Sequence, residues 1–130
     1  MKKCLYKRVA IALLFALIFS HAEAMSEGQE CVVLLHGLGR TEKSLLNLQQ
    51  HLNKHGFYVS NAGYPSLKED IQTLSVEAIE KAITECASAG ASKIHFVTHS
   101  MGGILVRYYL EHNEMQKLGR VVMCFNCFDH

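Results

Sequence analysis

The sequence THSMG at residues 98–102 decides the fold of this chain, because it joins a strand pattern to a helix pattern. A mostly apolar run, IHFV, precedes it at residues 94–97, and a second, GGILVRYYL, follows at residues 102–110. A serine at a sharp turn from a strand into a helix has its hydroxyl lifted clear of the sheet, with the helix N-terminus beneath it. Gly102 and Gly103 are the small residues that such a turn needs. The pattern predicts that Ser100 is a nucleophile for acyl transfer.

A second motif lies at the end of an earlier apolar run. Residues 31–35, CVVLL, have the pattern of a buried strand and lead directly into HGLG at residues 36–39. A glycine-rich turn at the end of a central strand leaves backbone N–H groups unpaired and facing the site. An oxyanion hole needs such donors together with the N–H of the residue after the nucleophile. The two motifs therefore predict an oxyanion hole formed by the N–H groups of Leu38 and Met101.

Together these segments resemble the α/β-hydrolase superfamily, in particular small bacterial lipases and esterases. The resemblance rests on residues 33–39, 64–66 and 97–103, and it covers about residues 31–123. It implies a serine ester hydrolase that acts on a carboxylic ester, either a lipid or a short acyl ester, without a cofactor. The chain departs from the family pattern at Thr98, where the family has glycine two residues before the serine.

Four further residues of the two motifs are predicted to line the site: His36, Gly37, His99 and Gly102. Neither histidine is expected to be the general base, because in this family the base and the acid lie on later loops. Asp129 and His130 are a poor acid–base pair, since adjacent residues in an extended tail point apart and a triad needs the acid behind the imidazole. The base and the acid are left unassigned and are expected to be absent from this chain.

Three alternatives stay open. The simpler role for Ser100 is the N-cap of its helix, although the flanking His99, Met101 and paired glycines favour a nucleophile. Tyr64 follows a strand end that faces the site, so both a substrate contact and simple packing are open for it. Residues 124–130, CFNCFDH, match nothing in the family, and the expectation is a C-terminally truncated domain. The alternative to an active hydrolase is therefore a catalytically inactive remnant of one.

The first 24 residues have the pattern of a secretory signal-peptide helix. Four basic residues precede an apolar run of eleven residues at 9–19, and AEA at residues 22–24 is a small-x-small cleavage site. A membrane anchor is the alternative, but a bilayer span needs about twenty apolar residues. We expect export to the periplasm or secretion, with membrane contact only through the signal peptide before cleavage. Residues 25–130 then form the N-terminal portion of an α/β-hydrolase domain.

Composition and spacing argue against other classes. Residues 25–130 carry nine basic and eleven acidic residues, a net charge near −2 without a basic cluster, so no nucleic-acid partner is expected. Cys31 and Cys86 are expected to be free buried thiols. Cys124 and Cys127 are spaced to close a small disulfide loop. Together with His130 they would offer three metal ligands, whereas a structural zinc site usually has four. No metal site is expected, and the sequence leaves the oligomeric state open.

The rest of the pattern predicts an α/β fold, a partial α/β-hydrolase with about four parallel strands and helices on both faces. Predicted strands lie at residues 31–35, 57–59, 93–97 and 121–123. Thr41 is predicted to cap the first helix, and Ser66 with Glu69 has the spacing of a capping box for the second. The second helix is predicted to bury a face made of Val76, Ile79, Ile83 and Cys86.

Overall fold

The computed structural model describes residues 28–125. The predicted signal peptide and the tail from residue 126 onward lie outside these residues, so the predictions made for them stay predictions. Within the described range the elements follow in this order: β1 (Cys31–Leu35), a 3₁₀ helix (Glu42–Leu45), α1 (Leu46–Lys54), β2 (Tyr58–Ala62), α2 (Ile71–Ser88), β3 (Ile94–His99), α3 (Met101–His112) and β4 (Leu118–Cys124).

The strands form one parallel sheet in the order β2-β1-β3-β4. Leu35, the last residue of β1, pairs with Ala62 of β2 on one side and with Thr98 of β3 on the other. His99 at the end of β3 pairs with Cys124 at the end of β4. The carboxyl ends of all four strands therefore meet at one edge, and the predicted parallel sheet of four strands is confirmed.

Helices cover both faces of the sheet, as the sequence predicts. On one face, α2 and α3 pack over β1 and β3, and the buried residues of this larger core include Val33, Leu35, Ile79, Phe96 and Leu105. On the other face, the 3₁₀ helix and α1 cover a smaller core formed by Val32, Leu34, Leu45 and Val59. β1 is buried along its whole length because it lies under both layers, which explains its unbroken apolar sequence. Among residues 28–125, no helix is both long and apolar enough to cross a lipid bilayer.

One core contact corrects the sequence prediction. Cys31 and Cys86, expected to be free thiols, form a disulfide that joins β1 to α2, with their Cα atoms 5.7 Å apart. Both side chains are fully buried, as predicted. The pattern placed each cysteine on a core-facing surface, but it gave no information on which helix packs against which strand. Cys124 is also disulfide-bonded. Cys127 lies outside the described residues, so the loop predicted between these two stays a prediction.

The starts of two helices differ from the predictions. The side chain of Thr41 makes no capping hydrogen bond, and a short 3₁₀ helix precedes α1. Ser66 and Glu69 do not begin α2. Asp70 is its N-cap, and the carboxylate accepts a hydrogen bond from the Thr73 amide at 2.7 Å. The capping-box prediction is wrong because the Ser66 hydroxyl has another partner, described below.

The buried face of α2 is also different from the predicted one. Val76 was expected in the core but is 45% exposed. Ile79 and Cys86 are buried as predicted, and Ile83 is half-buried. The remaining buried positions of this helix are small or lie nearer its start: Leu74, Ser75, Ala78 and Ala82. Small residues let α2 approach the sheet closely, and they carry little signal in a hydrophobic pattern.

Candidate active site

Ser100 lies at a sharp turn between β3 and α3. Its backbone has φ 48° and ψ −114°, and it is the one non-glycine residue with positive φ in the part of the chain that the structure describes. Such a conformation costs a non-glycine residue about 1–3 kcal/mol and persists where the surroundings enforce it. The Ser100 amide donates a hydrogen bond to the Cys124 carbonyl at 2.8 Å, which ties the turn to the end of β4.

The Ser100 hydroxyl is not used to cap α3. Ser100 is the N-cap residue by position, yet its side chain makes no capping hydrogen bond. The simpler interpretation, in which serine is present only as a helix cap, therefore has no support in the geometry. The hydroxyl stands at the N-terminus of a 12-residue helix, whose dipole favours negative charge.

Glycines next to Ser100 allow this turn to form. A Cβ on Gly102 would lie 2.5 Å from the carbonyl oxygen of Leu35, so only glycine lets α3 begin so close to β1. A Cβ on Gly103 would lie 3.2 Å from Oγ1 of Thr98. The Thr98 side chain is buried, and its hydroxyl lies 3.4 Å from the Val122 carbonyl, to which it donates. Threonine is therefore accommodated two residues before the serine because its branch points toward β4 and the small residue at position 103.

The turn after β1 lies directly against the serine turn. A Cβ on Gly37 would lie 2.7 Å from Nδ1 of His99 and 3.3 Å from Cβ of Ser100. The two sequence motifs are thus in van der Waals contact, although they are about sixty residues apart in the chain. Their contact requires glycine at position 37.

The backbone amides of Leu38 and Met101 are among those at this junction that donate to no other group within residues 28–125. Leu38 follows Gly37 in the exposed turn, and its side chain is 58% exposed. Met101 is the first residue of α3, and its side chain is buried. The oxyanion hole predicted from these two amides stays a prediction.

A loop after β2 holds the His36–Gly39 turn in place. The Tyr64 hydroxyl donates a hydrogen bond to the His36 carbonyl, and the Tyr64 ring stacks on the His36 imidazole with centroids 4.0 Å apart. The Ser66 hydroxyl accepts a hydrogen bond from the Gly39 amide at 3.0 Å. Burial raises the pKa of the Tyr64 phenol well above its ordinary value, so the group stays protonated and able to donate. Of the two roles that the sequence leaves open for Tyr64, the stacked ring agrees with packing, and the hydrogen bond to the His36 carbonyl is a further contact that the sequence does not predict.

The histidines of the two motifs occupy different positions. His36 is fully buried, with Nδ1 3.0 Å from the Gly37 carbonyl, so it lies beneath the turn. His99 ends β3 and lies beside Gly37. Four imidazoles of the described range have Nδ1 hydrogen-bonded to a backbone group of a residue other than Ser100: His36, His55, His95 and His112.

The predicted absence of a general base and an acid for Ser100 stays a prediction. Asp129 and His130 lie outside the described residues. The same residues, 28–125, contain no cluster of three or more histidine, cysteine or acidic side chains that could hold a metal ion.

Comparisons with known proteins agree with this fold. A solved structure titled "Extracellular alpha/beta-hydrolase from Paenibacillus species shares structural and functional homology to Tobacco Salicylic Acid Binding Protein 2" aligns with a TM-score of 0.53 at 17% identity. The alignment covers 72% of this chain and 39% of that one, so this chain spans well under half of the matched structure. At this identity the match shows a shared fold. The search of curated proteins returns no match.

The family comparison covers more of the chain. The model of the family described as "Putative serine esterase (DUF676)" matches residues 25–128. This match extends over most of the sequence and includes both motifs, and the aligned structure shows the α/β-hydrolase fold. The chain therefore belongs to the family described as "Putative serine esterase (DUF676)", and its fold is that of an α/β-hydrolase-like protein.

Proposed function

We propose that this protein is a serine ester hydrolase in which Ser100 is the nucleophile. The observation that carries the proposal is the backbone of Ser100, which is held at positive φ with a hydroxyl that does not cap the helix. A strained backbone retained at this position is typical of active sites. Family membership supports the same chemistry.

The reaction begins with attack of the Ser100 Oγ on the carbonyl carbon of a carboxylic ester. The carbonyl π electrons move to its oxygen, and the amides of Leu38 and Met101 donate hydrogen bonds to this oxyanion. Collapse of the intermediate breaks the bond to the alkoxide, which takes up the proton removed from the serine and leaves as the alcohol. Water then attacks the acyl-serine, which releases the carboxylic acid and restores the Ser100 hydroxyl. The hydroxyl proton must leave during attack, and the group that accepts it has no assignment within residues 28–125.

The surroundings of the site suit an ester with an apolar acyl group. Three large apolar side chains on the segments that contact the two motifs or belong to them are mostly exposed: Leu38 at 58%, Leu67 at 75% and Phe125 at 69%. Leu67 follows Ser66, which contacts the turn, and Phe125 follows Cys124, which accepts the hydrogen bond of Ser100. Exposed apolar groups on the segments next to a reactive serine favour lipid or other acyl ester substrates over polar ones.

Export is part of the proposal. The buried disulfide between Cys31 and Cys86 fits an oxidising compartment such as the periplasm or the cell exterior. The family match begins at residue 25, directly after the predicted cleavage site. Cleavage after Ala24 would therefore release a chain that contains the whole matched region.

The alternative function is an inactive member of the family. The observation that favours it is that four imidazoles of residues 28–125 have Nδ1 hydrogen-bonded to backbone groups of residues other than Ser100. Labelling with a fluorophosphonate separates the two proposals, because it reports serine reactivity without requiring a particular substrate.

We expect labelling of the chain from residue 25 onward and none of its Ser100→Ala variant. Hydrolysis of p-nitrophenyl butyrate should likewise depend on Ser100. Equal labelling of the two proteins would contradict the proposed activity and support the inactive alternative.

A further inference from the structure

We infer that Tyr64 and Ser66 are positioning residues that fix the direction of the Leu38 amide. The inference rests on the proposed function, in which this amide holds the oxyanion. Neither side chain needs to touch the substrate, because each acts through the backbone of the His36–Gly39 turn.

The contacts surround the Leu38 amide on both sides. Before it, the Tyr64 hydroxyl holds the carbonyl of His36. After it, the Ser66 hydroxyl holds the amide of Gly39. The two bonds fix peptide groups next to the one that joins Gly37 to Leu38, so rotation of that peptide would strain one bond or both.

Much of the turn itself is exposed. Leu38, Gly39 and Arg40 are exposed, and Gly39 has φ 68°. A backbone hydrogen bond from the Arg40 amide to the Gly37 carbonyl at 3.2 Å closes the turn, and Nδ1 of the buried His36 lies 3.0 Å from the same carbonyl. A glycine-rich exposed turn has many accessible backbone conformations, so its preorganisation must come from neighbouring groups.

The surroundings of Tyr64 and Ser66 restrict the motion of both side chains. Ser66 is 7% exposed, and the stacked ring of Tyr64 is fixed against His36 at an interplanar angle of 10°. Catalysis by oxyanion stabilisation depends on donors that are already oriented before reaction. The loop after β2 therefore contributes to the reaction although it supplies no reacting atom.

Two variants with matched controls test this role. Tyr64→Phe and Ser66→Ala each remove one hydroxyl that holds the turn. Tyr109→Phe and Ser75→Ala remove hydroxyls of buried residues that bond elsewhere, to Glu80 and to the Gln72 carbonyl. The measurements are kcat and KM for p-nitrophenyl butyrate, the rate of fluorophosphonate labelling and the inhibition constant of an aryl trifluoromethyl ketone. The serine oxygen attacks the carbonyl carbon of the ketone, and the ketone oxygen becomes an oxyanion that mimics the one in the tetrahedral intermediate.

Loss of one oxyanion donor costs about 10²–10³-fold in kcat, and a misdirected donor should cost about tenfold or more. We expect that loss in kcat, in labelling rate and in ketone affinity for both site variants, with KM changed by less than about twofold. A positioning role predicts weaker ketone binding with an almost unchanged KM, whereas a general loosening of the fold would change both. The two control variants show how much a general loosening of the fold contributes. Thermal melts fix an assay temperature at which all variants are folded.

The outcomes separate the two proposals. If wild type is labelled and both site variants match the control variants in kcat and ketone affinity, the positioning role is wrong and the proposed activity stands. If wild type is labelled no faster than Ser100→Ala, the proposed activity is wrong and the positioning role is wrong with it.

Discussion

The α-carbon of Gly102 faces the carbonyl of Leu35 so closely that an added Cβ would lie 2.5 Å from the oxygen. This contact joins the first turn of α3 to the last residue of β1. It places the start of the serine helix beside the strand that ends in the His36–Gly39 turn. The position of the serine relative to that turn therefore depends on a residue without a side chain.

Gly102→Ala should destabilise the protein, because the Cβ would meet backbone, which cannot move aside as a flexible side chain can. Overpacking of this kind typically costs about 1–3 kcal/mol. Gly103→Ala is the control: its Cβ would lie 3.2 Å from Thr98 Oγ1, and alanine favours a helix over glycine by about 1 kcal/mol. Urea unfolding of both variants measures the difference. A Gly102→Ala protein as stable as Gly103→Ala would show that the close approach is not required.

Ser100→Gly should remove activity while increasing stability. Glycine adopts positive φ without the cost of about 1–3 kcal/mol that serine pays there. Ser100→Ala loses the same hydroxyl but keeps the strain, so it serves as the control. We expect the glycine variant to be the more stable of the two by about 1 kcal/mol in the free energy of unfolding. Neither variant should be labelled by a fluorophosphonate. Equal stability of the two variants would argue that the backbone at position 100 is not strained.

Removing the buried disulfide should cost much of the stability of this domain. Cys31 and Cys86 are 55 residues apart in the chain, and a crosslink over that distance is worth about 4 kcal/mol in the chain-entropy description. The double variant Cys31→Ala, Cys86→Ala should unfold at lower urea concentration than wild type. Dithiothreitol should lower the midpoint of wild type far more than that of the double variant. A wild-type midpoint unchanged by full reduction would contradict a stabilising role.

The sheet could be predicted from the sequence because its strands are strongly patterned. β1 is apolar at all five positions, and the predicted and observed bounds agree. β4 is longer than predicted: the sequence pattern indicated residues 121–123, whereas the strand runs from Leu118 to Cys124. Gly119 and Arg120 weaken the pattern at its start. They form an irregularity in the pairing with β3, where the Arg120 amide donates to Nδ1 of His95 at 2.8 Å. A side chain on another strand thus stabilises residues that have little strand propensity themselves.

Sequence motifs predict the parts of the candidate site that lie within one short segment. They do not predict the parts that depend on contacts between distant segments of the chain. Ser100, Leu38 and Met101 are set by two short motifs, and the structure brings those motifs together. Ser66 was assigned to a capping box because the local spacing fits one. Its hydroxyl instead accepts a hydrogen bond from Gly39, 27 residues earlier in the chain. Local spacing could not reveal that contact, because it exists only once β1 and β2 are paired.

Asp70 should make the stability of α2 sensitive to acid. Hydrogen bonds from the Thr73 amide and side chain hold the pKa of the Asp70 carboxyl below its ordinary value of 3.8. Because the pKa is lower in the folded protein, the ionised cap stabilises the fold above the unfolded pKa, and that stability is lost as pH falls through the folded value. Asp70→Asn keeps an oxygen that can cap the helix but does not titrate. Asp70→Ala removes the cap at every pH.

We therefore expect Asp70→Ala to be less stable than wild type at pH 7, and we expect that difference to shrink as the pH is lowered from about 5 to about 2. Asp70→Asn should lose less stability than wild type over the same range. Thermal melts of the three proteins in that range measure both effects, and Glu69→Gln, an adjacent exposed carboxylate, is the control. If wild type and Asp70→Asn lose stability equally as the pH falls, then the Asp70 carboxylate is not the charged cap of α2.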